Sequence, residues 1–154
     1  MIQKNIVPEQ EPEESQLAKI EKFVRWEAAS RDIIDFKCIY VDVAGDLVSG
    51  LLLSQIVFWH LPDRYGKTKL RAKNRKKELC LAKNRSDWLE ECRIKCRPYD
   101  LAIKKLEKKG IVSVTNSLFR NKRTPFIKLN YDVLLDLIDK ADRENRMRGL
   151  PSGE

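Results

Sequence analysis

Asp87-Trp88-Leu89-Glu90-Glu91-Cys92-Arg93-Ile94-Lys95-Cys96-Arg97-Pro98-Tyr99-Asp100-Leu101-Ala102-Ile103-Lys104-Lys105-Leu106-Glu107-Lys108-Lys109-Gly110-Ile111 carries the most specific pattern in the chain. Ser86 is placed to cap a short helix over 87–92, and Asp87, Glu90 and Glu91 sit near the end of it where the helix dipole favours negative charge. A break follows around Ile94 and Lys95. From about Arg97 to Lys109, Tyr99, Ala102, Ile103 and Leu106 recur at the three- and four-residue spacing of a buried stripe. Gly110 stands where a left-handed residue ends a helix. Ala102 is small enough to let two helices cross closely, and the face opposite the stripe carries Arg97, Lys104, Lys105 and Lys108. Two helices joined by a tight turn, the second with a basic outer face, form a helix-turn-helix.

Downstream, Ile111 to Phe119 alternates as a strand should, Arg120 to Pro125 reads as a basic turn, and Phe126 to Leu129 returns as a second strand. A helix over about 131–146 closes the chain with Val133, Leu134, Leu137, Ile138 and Ala141 on one side. Upstream, Asp46 caps an apolar helix from Leu47 to Leu61 that is hydrophobic nearly all round, the mark of a buried central element, and Pro62 stops it. Between them, residues 64–83 read as a basic hairpin whose turn is Lys73-Asn74-Arg75-Lys76. Between Ile33 and Val43, β-branched and aromatic residues recur at intervals. Ser15 caps a helix over 16–29 striped with Leu17, Ile20, Phe23, Val24 and Ala28.

Helix, strand, helix, tight turn, helix and two-stranded hairpin is the order of a winged helix-turn-helix. The expected fold is therefore α+β, mainly α: a winged helix-turn-helix with extra N- and C-terminal helices and a basic hairpin between its first two core helices. The expected organisation is a disordered acidic leader over 1–14, one domain over 15–146, and a disordered tail over 147–154.

Charge says what such a fold would meet. The chain of 154 residues carries a net charge of +8, but residues 64–128 alone hold 21 basic and 6 acidic side chains, a net of +15. Such an excess repels itself unless a polyanion neutralises it, and the natural polyanion is nucleic acid. The residues expected on DNA are Lys95, Arg97, Asp100, Lys104, Lys105 and Lys108 around the second helix, Arg120, Asn121, Lys122 and Arg123 at the wing, and Lys73, Arg75 and Lys76 in the first hairpin. Arg97 and Asp100 lie at the helix start, where base edges are read. Asp100 could accept from a cytosine amine or act only as a helix-dipole or intrahelical partner. Lys104, Lys105 and Lys108 suit phosphate contacts.

Other chemistry finds little support. Cys38, Cys80, Cys92 and Cys96 form no second close pair and have no nearby histidine to complete a zinc site. His60 ends an apolar helix beside Trp59, a structural position more than a catalytic one. No Gly-rich phosphate loop or nucleophile elbow is present, so neither an enzyme nor a cofactor is expected. The stretch 47–61 is too short and too interrupted to span a bilayer, and Glu9, Glu11, Glu13 and Glu14 argue against a secretory leader. A cytoplasmic, nucleoid-associated protein is the expectation.

Tyr40-Val41-Asp42-Val43, then 45–60 with its Leu-Leu-Leu-Ser-Gln-Ile-Val-Phe-Trp-His ending, then a hairpin followed by Lys83, Trp88, Glu91 and Cys92, resemble winged-helix proteins of phages, plasmids and other mobile elements. That group is replication-protein-like, akin to the N-terminal domains of phage replisome organisers and DnaD-like primosome proteins. The resemblance spans about residues 36–130. It implies double-stranded DNA binding in transcriptional regulation or as a replication accessory factor, with a protein partner in the host or element machinery. A full initiator or helicase loader carries a further C-terminal domain, whereas about 25 residues follow here, so DNA binding is what the likeness transfers. The competing expectation is a protein-interaction module, an inhibitor or adaptor whose basic face docks on an acidic partner. A homodimer is also expected, through Leu17, Ile20, Phe23 and Val24 or through Leu134, Leu137, Ile138 and Ala141, because a two-fold pair reads two half-sites.

Overall fold

The computed structural model describes residues 13–151, which divide by their contacts into two units, 13–34 and 35–151. Most of the leader expected over 1–14 lies outside the described residues. The first unit holds helix α1 (Gln16–Ala29), capped as its sequence implies: the Ser15 hydroxyl accepts from the Ala18 N–H at 3.2 Å. None of its side chains is buried, and Phe23 stacks on Trp26 with ring centroids 6.3 Å apart.

The second unit is built round helix α3 (Leu47–His60), preceded by α2 (Ile39–Ala44). Asp46 caps α3 by accepting from the Ser49 N–H at 2.8 Å, and Leu61, forced out of helical geometry by Pro62, ends it. Leu52, Leu53 and Ile56 are fully buried, so the expected central helix is central. The β-branched and aromatic residues before it close into the short helix α2, which Gly45 ends in a left-handed conformation (φ 100°). Gly50 explains how α2 docks. A Cβ there would stand 2.7 Å from the Val41 Cα, so only glycine lets the two helix backbones lie this close.

Strands β1 (Ala72–Lys73) and β2 (Leu79–Ala82) form the first hairpin, followed by α4 (Asp87–Cys92), α5 (Cys96–Lys108), β3 (Val112–Phe119), β4 (Lys122–Leu129) and α6 (Tyr131–Met147). The four strands make one antiparallel sheet in the order β1-β2-β4-β3. The first hairpin is thus no separate arm: β2 pairs with β4, Leu81 opposite Ile127. The protein is α+β. Among the described residues no helix is long and apolar enough to cross a membrane.

Three local expectations are corrected. Ser86 makes no side-chain cap; the Asp87 carboxylate instead accepts from the Asn84 N–H at 2.9 Å. The turn expected over 120–125 is only two residues, Arg120 (φ 50°) and Asn121 (φ 65°), the left-handed pair that matches the twist of a tight hairpin. Pro125 belongs to β4, opposite Asn116, and needs no N–H there; its carbonyl accepts from the Lys83 N–H at 3.2 Å. Of the tail expected over 147–154, residues 152–154 lie outside the described residues, and the described part closes α6. Leu150 N–H reaches Asn145 O and Gly149 N–H reaches Arg146 O around left-handed Gly149, which closes α6 as a Schellman motif.

The C-terminal stripe is core, so it offers no dimer face. Leu134 and Ala141 are buried, and Val133, Leu137 and Ile138 pack against the same cluster as Leu52 and Leu106. Buried Asn145 donates to the Asp42 carboxylate at 2.9 Å, tying α6 to α2.

Candidate functional site

Helix α5 is held by its inner face. Tyr99, Ala102, Ile103 and Leu106 are all buried, the stripe that its spacing implies. Pro98 lies in the first turn, where a missing N–H costs nothing. At the far end Ile111 N–H bonds Leu106 O and Gly110 N–H bonds Glu107 O, with Gly110 at φ 75°, so the chain reverses directly into β3. The turn from α4 is made by Arg93 in the left-handed region (φ 65°), and the next residue, Ile94, is buried in the core. Trp88, fully buried, stacks on Tyr99 at 6.1 Å. Burial, reinforced by Asp100, pushes the Tyr99 hydroxyl up to about 12, so it is neutral at any physiological pH.

With α5 fixed this way, its outer face presents Arg97, Leu101, Lys104 and Lys108, all exposed. Among the described residues none of these three cations takes part in an ion pair, and Lys95, exposed at the N-cap, takes part in none either. Two other expected residues are engaged. Asp100 is gripped by Arg85, whose Nε and Nη2 donate at 3.2 and 2.5 Å. It is thus neither a free base acceptor nor an intrahelical partner but a tie from α5 to the loop before α4. Lys105 pairs with Asp46, the α3 cap, and holds that carboxyl below its usual range together with the Ser49 N–H. That pairing fastens α5 to the start of α3.

The other expected residues fall at two separate places. Arg120, Asn121, Lys122 and Arg123 share the tip of the β3–β4 hairpin, with Arg120 lying over the Phe119 ring at 5.2 Å. Lys73, Arg75 and Lys76 surround the β1–β2 turn, where the Asn74 side chain accepts from the Lys76 and Glu78 N–H groups at 3.0 Å each. Because β1-β2-β4-β3 is antiparallel throughout, this turn and the Arg120–Asn121 tip point to opposite ends of the sheet. The Lys128–Glu78 ion pair marks the end that holds the first turn. The basic residues therefore form two groups on the sheet, not one patch.

Sequence reading missed one cluster. Lys83, at the end of β2, lies 4.7 Å from the Trp59 ring centroid and 4.5 Å from that of Trp88, and pairs with Glu91. Glu91 also accepts from the Trp59 indole at 2.6 Å. Both Lys83 and Glu91 are largely buried, so this charge fastens β2, α3 and α4 together instead of facing solvent. The signal was the joint presence of Lys83, Trp88 and Glu91, whose meaning depends on Trp59 arriving from another helix. His60 is likewise a tether. Its Nε2 accepts from the Leu129 N–H at 3.2 Å, which leaves Nδ1 to carry the proton and donate to Ile56 O at 2.8 Å. Burial holds its pKa below the ordinary value.

Among the described residues no group of three or more His, Cys, Asp or Glu could hold a metal ion. No family model, curated protein or solved structure matches the chain.

Proposed function

We propose that residues 35–151 are a winged helix-turn-helix that binds double-stranded DNA, with α5 in the major groove and the Arg120–Asn121 tip at the phosphates. The observation that carries this reading is the outer face of α5: Arg97, Lys104 and Lys108 are exposed on a helix whose opposite face is wholly buried. A rigidly mounted helix with outward cations is what groove binding requires. The order α3, β2, α4, α5, β3, β4, with β2 closing onto the last hairpin, agrees with that fold. Lys105 and Asp100, being engaged, are secondary here. Regulation or replication of a mobile element is the setting we infer, on the resemblance of residues 36–130. A homodimer belongs to the same reading, joined now through the α1 stripe alone, since two copies would present two half-sites.

A salt titration of binding to a random-sequence duplex tests the reading. Each phosphate neutralised adds about −0.9 to the log–log slope, so about six contacts give roughly −5. Replacing Lys104 and Lys108 together by alanine should flatten the slope by nearly two of those contacts. A slope near zero for the unmodified protein overturns the proposal and leaves the acidic-partner reading in its place.

A further inference from the structure

In the middle of the cationic face of α5 stands an apolar side chain. Leu101 is 66% exposed, four residues after Arg97, three before Lys104 and seven before Lys108, so all four share one side of the helix. A single exposed leucine on a protein surface ordinarily means nothing. This one differs in its neighbours on that face, which are cations without ion-pair partners among the described residues. An apolar protein surface seated on Leu101 would strip water from those charges without compensating them. A DNA major groove suits both kinds of group, because phosphates line its edges and each thymine offers a methyl on its floor.

We infer that Leu101 is a specificity residue that packs on the C5-methyl of a thymine in the major groove. The inference rests on the DNA-binding reading above and adds to it the base that the helix selects. Four residues of helix rise about 6 Å, which is about two base-pair steps of 3.4 Å. With Arg97 on a guanine edge, the thymine would lie about two steps further along the groove. Asp100, the one acid beside Leu101 in the chain, is turned to Arg85 and so does not set a carboxylate against the phosphates.

The test uses the full chain and a randomised duplex pool. Duplexes enriched by the protein are prepared twice, once with thymidine and once with deoxyuridine, which lacks only the methyl group. The unmodified protein should bind the deoxyuridine form about fourfold more weakly, the worth of one buried methyl. Leu101→Ala should bind both forms alike and keep the salt slope of the parent; its thermal melt should be unchanged, since Leu101 is exposed. Equal affinity of the unmodified protein for the two forms overturns the thymine contact while leaving DNA binding intact. Full discrimination retained by Leu101→Ala assigns the methyl to another residue and also overturns it. Loss of all salt-dependent binding to the pool removes the underlying reading, and this inference with it.

Discussion

Helices α1 and α6 carry apolar stripes of the same helical spacing and meet opposite ends. In α6, Leu134 and Ala141 are buried and Val133, Leu137 and Ile138 pack against the core. In α1, Leu17, Ile20, Phe23 and Val24 are all between 50% and 66% exposed. The sheet sets where α6 begins. Asn130 donates its N–H to Ile111 O at 2.8 Å as the last tie of the sheet and then caps α6, so the helix starts from a position the sheet has already set. Its stripe then meets α2, and Asn145 bonds to Asp42 near the far end. Periodicity states that a face is apolar; it does not state what covers it.

The largest effect is expected where α2 is docked. Gly50→Ala would drive a Cβ into the Val41 backbone and displace the surface on which α6 rests. We expect a loss of about 3 kcal/mol or more in denaturant unfolding. A variant as stable as the parent would show that α2 is not held as described. Next is the stripe itself: Leu134→Ala should cost about 2–3 kcal/mol for the lost burial and the cavity. Asn145→Ala leaves the Asp42 carboxylate without its partner on α6 and should cost about 1–2 kcal/mol by the same measurement.

A smaller effect is pH-dependent and reports on the tether between α3 and β4. The His60 imidazole, held below its ordinary value, takes up its proton later than the unfolded one as pH falls. Its contribution is whole above about pH 6.5, and is lost as pH falls through the folded value. The stability gap between the parent and His60→Ala should therefore narrow on acidification; a gap independent of pH would reject the neutral tether. The smallest change is expected on α1, where Phe23→Ala should alter unfolding by less than about 0.5 kcal/mol. The informative readout there is mass. Light scattering should give about twice 18.0 kDa at tens of micromolar, and Phe23→Asp should return it to the single-chain value. A parent that scatters as a single chain would show that the stripe of α1 is not a dimer face.

The candidate site was legible to different depths. Arg97, Lys104 and Lys108 could be assigned to the outer face of α5 because helical geometry and four apolar partners leave them nowhere else to point. Lys105 and Asp100 could not be sorted from them by local pattern. Their partners, Asp46 and Arg85, are 59 and 15 residues away in the chain. The same holds for Lys83, which counts as one more positive charge in the composition and becomes a largely buried ion pair between two tryptophans only when α3 and α4 meet.

Features that depend on neighbours along the chain can be read locally: the caps at Ser15 and Asp46, the stops at Pro62 and Gly110, the buried stripe of α5, the apolar core helix and the basic excess between 64 and 128. These are set by backbone geometry and side-chain periodicity within a few residues. The rest came from contacts between distant parts of the chain. These joined β2 to β4 and so set the two basic turns at opposite ends of one sheet, made β4 long enough to include Pro125, and turned 39–44 into a helix under Gly50. They also made the stripe of α6 part of the core. Each of those outcomes depends on groups brought together from distant positions, and the free energy of that meeting is not written in either segment alone.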